Sequence, residues 1–108
     1  MTSEHPFLQS QASPVSIALG KRLKQCRHAA DKSQETLAFD AQVDRTYISA
    51  IERGAANPSI ETLANICYAL GITLAELFEP LSEVSLAPTG ARRVNAATPP
   101  EIIRKRFR

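Results

Sequence analysis

A chain of 108 residues has room for one domain, and a composition 44% hydrophobic, 6% aromatic and without Trp suits a small helical bundle built on Leu, Ile, Ala and Val. The two cysteines, Cys26 and Cys67, form no C-x-x-C pair, and His5 and His28 lie far from any ligand cluster, so neither a metal or cofactor site nor a secreted disulfide framework is expected. The net charge of +2 is unevenly placed: residues 16–79 carry seven Lys or Arg against eight Asp or Glu, and residues 80–108 carry six against two. Attraction to phosphate must therefore come from locally placed cations in the first segment, plus whatever the second adds.

Residues 1–15 are polar and without periodicity, and read as a loose N-terminal arm. They contain no basic stretch followed by a long apolar run, and nowhere does an apolar run approach a membrane span, so a cytoplasmic protein without membrane attachment is expected. Ser16 is the expected cap of a first helix with Leu19, Leu23, Cys26 and Ala30 as its apolar stripe and Lys21, Arg22, Lys24 and Arg27 turned outward. Ser33 caps a second helix running to about Ala41, and Asp44 a third that ends at Gly54. Asn57-Pro58 enforces a loop. Ser59 then caps a fourth helix whose stripe is Ile60, Leu63, Ile66, Cys67 and Leu70, stopped by Gly71. Thr73 with Glu76 forms a capping box for a short fifth helix, closed by Pro80. Residues 81–108 shift to Ser, Ala, Pro, Thr and Gly and read as a flexible basic tail.

Residues 33–54 carry the functional signal. Leu37, Ala38, Ala41, Val43, Ile48 and Ile51 fall where two steeply crossed helices need apolar contacts. Arg45, Thr46, Ser49, Ala50 and Arg53 fall together on the opposite face of the third helix. A small domain presenting such a helix is suited to placing side chains in a DNA major groove.

Six blocks in order, Leu19-Gly-Lys-Arg-Leu-Lys-Gln, Ser33-Gln-Glu, Asp44-Arg-Thr-Tyr-Ile-Ser, Ile51-Glu-Arg-Gly, Asn57-Pro-Ser-Ile-Glu-Thr-Leu and Ala69-Leu-Gly-Ile, resemble the Cro and phage-repressor type of helix-turn-helix regulator, the XRE family, from about Ile17 to Glu79. The block at Asp44 is also similar to that of restriction-modification controller proteins. The resemblance implies an all-α, compact five-helix DNA-binding domain over residues 16–80, with the second and third helices as the motif. It implies that Ser33 and nearby amides hold a phosphate and that Gln34 reaches the DNA backbone or an edge base. Arg45, Thr46, Ser49 and Ala50 match the base readers, Arg45 suiting a bidentate guanine contact and Thr46 a thymine methyl or a phosphate. Tyr47 flanks them with its hydroxyl toward a phosphate, and Ala50 is too short to discriminate strongly. Arg27 and Glu52 match a pair that ties the first helix to the recognition helix. Gln42 stands where the family usually has Gly in the turn, which costs roughly 1 kcal/mol if the backbone is left-handed.

Several residues keep two readings. Arg53 either meets DNA or caps its own helix C-terminus, and Phe39 reads as a satellite core contact ahead of a ligand or partner site. Cys26 and Cys67 read as core packing, and His28 as an exposed helix residue. The tail is a solvated segment, an arm adding phosphate contacts, or a partner-binding or dimer-stabilising helix built on Ile102, Ile103 and Phe107. No paired carboxylates, activated nucleophile or phosphate loop is present in the sequence, so an enzyme is not expected. The expected function is a nucleoid-associated regulator, a repressor binding double-stranded DNA as a homodimer through Leu74, Leu77, Phe78 and Leu81. The alternative is an antitoxin-like module that binds a protein partner through its tail and autoregulates its operon.

Overall fold

The computed structural model describes residues 13–87. The expectations for the arm before Ser13 and for the tail from residue 88 onward, including Ile102, Ile103 and Phe107, lie outside those residues. Within them the fold is all-α: α1 (Pro14–Ala29), α2 (Gln34–Ala41), α3 (Arg45–Glu52), α4 (Ile60–Leu70), α5 (Leu74–Phe78) and a closing 3-10 turn (Glu79–Glu83). No single helix among the described residues is long and apolar enough to cross a membrane.

Local chemistry sets the boundaries. The Ser33, Ser59 and Thr73 side chains each accept the amide hydrogen of the residue three positions on, satisfying a donor that the first helical turn leaves orphaned. Glu76 Oε1 accepts back from the Thr73 amide at 2.8 Å, completing the capping box. At the start of α1 the cap is Ser13 rather than Ser16: Ser13 Oγ accepts from the Ser16 amide at 3.1 Å, and Pro14 occupies a first-turn position where its missing N–H costs nothing. Asp44 sits at the N-cap of α3 in extended backbone, but its carboxylate makes no capping hydrogen bond. Gly54 and Gly71 end α3 and α4 with φ of 77° and 74°.

The helices close around one core. α1 packs against α3 and α5, and α2 against α3 and α4. Leu23, Leu37, Ile48, Ile51, Ile66 and Leu77 are the largest fully buried side chains, joined by Leu19, Cys26, Ala38, Ala41, Leu63 and Cys67. Gln42 takes the left-handed conformation at φ 62°. Burying Leu37, Ile48 and Ile51 on either side of that turn stabilises by about 1.5–3 kcal/mol each, which outweighs the roughly 1 kcal/mol of backbone strain. The thiols of Cys26 and Cys67 are free and buried, and burial with Cys26 nearby pushes the Cys67 thiol up from its usual range.

Several expected placements are corrected. Arg27 lies on the buried side of α1, only 7% exposed, because its guanidinium has partners there. Ala30 is half-buried at the C-cap rather than on the buried stripe. Phe39 is 82% exposed, because Leu37, Ala38 and Ala41 turn the core face of α2 away from it. Ile60 is 64% exposed at the first turn of α4, where Leu63, Ile66 and Cys67 make the buried stripe. Tyr68, on the outer face of that helix, is 88% exposed. The folded unit also runs past Pro80, since Leu81 packs against the core from the 3-10 turn.

Two side chains lock distant elements. Arg22 donates from Nε to the Leu77 carbonyl at 3.0 Å and from a terminal nitrogen to the Glu76 carbonyl at 2.7 Å, so α1 satisfies the last carbonyls of α5. Lys32 Nζ bridges Asp40 Oδ2 at 2.7 Å and the Ala69 carbonyl at 2.8 Å, joining the α1–α2 connection to α2 and the end of α4.

Candidate nucleic-acid interface

The presentation of α3 begins with a close backbone approach. Gly20 on α1 lies against the last carbonyls of α3; a Cβ there would meet the Ile51 oxygen and come within 2.6 Å of the Glu52 oxygen. Glycine thus lets α1 back directly onto α3 while Ile48 and Ile51 fill the core. The opposite face of α3 remains outside. Arg45, Thr46 and Arg53 are exposed, Ser49 and Ala50 half-buried, and their positions fall on adjoining sectors of one helix side. Tyr47 is half-buried and packs against the core at the flank.

The Glu52 carboxylate organises this surface. Arg27 Nε donates to Oε2 at 2.7 Å and a terminal Arg27 nitrogen to Oε1 at 3.1 Å, while the other terminal nitrogen reaches the Lys32 carbonyl at 2.8 Å. Gln34 Nε2, from the first residue of α2, donates to Glu52 Oε1 at 2.9 Å. Burial works to raise the pKa of Glu52, but hydrogen bonds from Arg27 and Gln34 and the charges of Arg27 and Lys24 outweigh it, so the carboxyl is held below its ordinary value. The Arg27–Glu52 pair expected from sequence is therefore present, and Gln34 and Lys24 join it.

The remaining site residues divide by what already occupies them. Ser33 Oγ accepts from the Thr36 amide at 2.9 Å and donates to Thr36 Oγ1 at 3.0 Å, so its hydroxyl serves the α2 cap. One terminal Arg45 nitrogen lies 3.4 Å from Gln34 Oε1, and Arg53 Nε 3.4 Å from Ser49 Oγ. Arg45, Thr46, Ser49 and Arg53 thus form one polar surface, with Gln34 at its edge. Of the expected self-association residues, Leu77 is fully buried inside the chain's own core and offers no surface to a partner. Leu74, Phe78 and Leu81 pack against the core but keep partial exposure. Sequence reasoning missed the central place of Gln34: a helix-first Gln carries no local sign that a carboxylate 18 residues on will hold its amide.

A family model described as helix-turn-helix matches residues 23–77. The control protein C.MunI from a Mycoplasma species is 43% identical over 70 residues, covering 64% of this chain and 95% of that protein. The control protein C.BamHI from Bacillus amyloliquefaciens is 38% identical over 66 residues, covering 60% of this chain and 82% of that protein. Among solved structures, the restriction-modification controller protein C.AhdI from Aeromonas hydrophila matches with a TM-score of 0.58 and 41% identity, over 58% of this chain and 96% of that one.

Proposed function

This chain belongs to the XRE-type helix-turn-helix family of DNA-binding transcriptional regulators, and on that premise we propose that it is a repressor reading a pseudo-palindromic operator as a homodimer. The observation that carries the reading is the exposed set Arg45, Thr46 and Arg53 on a helix whose other face is buried and whose last turn is held by the Arg27–Glu52 pair. One eight-residue helix reaches too few base pairs for selectivity. Two copies related by a two-fold axis, with recognition helices about 34 Å apart, supply the missing half. Leu74, Phe78 and Leu81 are the surface we assign to that pairing, Leu77 being committed to the core. Such a protein acts in the cytoplasm, at the nucleoid.

Within the site Arg45 takes a guanine edge through paired donors, and Thr46 a thymine methyl or a phosphate. Ser49 contributes weakly, Ala50 offers only a methyl, and Arg53 and Tyr47 face the DNA backbone. Gel-shift titration of an operator selected from random DNA tests this. Arg45→Ala should weaken specific binding by about 1–3 kcal/mol and relax preference at one base step. Equal losses on operator and random DNA would show that Arg45 does not read sequence.

A further inference from the structure

The outer face of α4 carries apolar side chains that no other described residue covers. Ile60, Ala64 and Tyr68 are spaced by four and so line one side of this helix. Ile60 is 64% exposed, Tyr68 88%, and Ala64 is exposed between them. The helix meets α2 and α5 through its other sides, where Leu63, Ile66 and Cys67 are buried. Glu61 stands beside the stripe, seven residues or about two turns from Tyr68. We propose that this face is covered by the chain's own C-terminal segment, residues 101–108, folded back onto it.

Charge and reach favour that occupant. Residues 54–87 carry four Glu and no Lys or Arg, and among the described residues none of these carboxylates is in an ion pair. Residues 88–108 carry six Lys or Arg against the single Glu101. Four of those cations, Arg104, Lys105, Arg106 and Arg108, are interleaved with Ile102, Ile103 and Phe107. The segment therefore brings apolar groups for Ile60 and Tyr68 together with cations for Glu61. The α1–α3 half, with all seven cations of residues 13–87, suits it less. Thirteen residues, 88–100, join the segment to the end of the fold. They span about 45 Å fully extended and about 20 Å as a root-mean-square coil, against about 17 Å for the whole of α4. A tether of that length holds the segment at about millimolar effective concentration, so even a millimolar contact is occupied about half the time. In the free protein the C-terminal cations are thus engaged by the acidic half of the domain, and phosphate must displace them. None of this depends on how α3 reads DNA.

Tyr47 and Tyr68 are the only tyrosines, so 3-fluorotyrosine in the full-length protein gives two fluorine signals, one on α3 and one on α4. The Tyr68 signal should show cross-relaxation with protons of Ile103 or Phe107. An uncharged gadolinium chelate should relax it about half as fast as in the double variant Ile103→Ser with Phe107→Ser. Glu61→Lys should release the segment to a similar degree. Adding Arg104→Glu, Lys105→Glu and Arg106→Glu to Glu61→Lys should bring the contact back. The Tyr47 signal and the melting temperature should hold throughout, which separates release from unfolding. A Tyr68 signal indifferent to all these changes would overturn the proposal. So would a signal protected equally in every variant that loses protection on dilution, since a second copy would then be the occupant.

Discussion

Glu52 is a carboxylate that water hardly reaches, and its charge is tolerable only because Arg27 and Gln34 donate to it. Such a group makes stability depend on pH in a definite direction. Its pKa in the folded protein lies below the unfolded value of about 4.3, so its contribution is fully present above that value and is lost as pH falls through the depressed folded one. Thermal melts taken from about pH 7 down to about pH 3 should show the wild type losing stability at the acid end, with a shallower loss in Glu52→Gln. Removing the partner is harsher. Arg27→Ala leaves a buried carboxylate uncompensated and should cost about 3–5 kcal/mol in urea unfolding.

At the scale of elements, the turn between α2 and α3 and the crossing of α1 over α3 are the points most open to manipulation. Gln42→Gly relieves a left-handed residue while loosening the unfolded chain, and should stabilise by about 0.5–1 kcal/mol in the same assay. Gly20→Ala should destabilise by about 1–3 kcal/mol and weaken operator binding, since its methyl must push α1 off the Ile51 and Glu52 carbonyls. The element boundaries were largely legible because caps are local chemistry: Ser33, Ser59, Thr73 with Glu76, Gly54 and Gly71 all act within a few residues of themselves. Which way a side chain faces was legible only where the apolar pattern was strong. In α2, a short helix of small and mixed residues, Phe39 reads as core by its size, yet its angular position sets it outside. The hold of Arg22 on the α5 carbonyls spans 55 residues in sequence, and the grip of Gln34 on Glu52 spans 18; neither leaves a local trace. The exposed polar face of α3 was legible from spacing and resemblance, and its internal wiring was not.

Across the whole molecule, charge is divided along the chain. All seven Lys and Arg of the described residues precede Gly54, whereas residues 54–87 carry only Glu61, Glu76, Glu79 and Glu83 as charged side chains. The half containing α3 therefore faces a polyanion favourably and the α4–α5 half does not, which favours one docking orientation before any base is touched. Beyond Ala87 six more Lys or Arg follow. A chain ending at Ala87 keeps Leu81 on its core, so it separates tail from fold. If the tail meets phosphate, that truncation should reduce the salt slope of binding by about 0.9 for each phosphate the tail neutralises and leave base preference unchanged; an unaltered slope would remove the tail from the interface. The bundle also carries its own gauge of opening. Cys26 and Cys67 are free thiols buried between the helices, Cys67 the more deeply, so a water-borne alkylating reagent reaches Cys67 chiefly when the helices part. The rate of Cys67 modification thus reports how often the domain breathes, and slower labelling with operator present would measure, without any added probe, how tightly DNA clamps the fold shut.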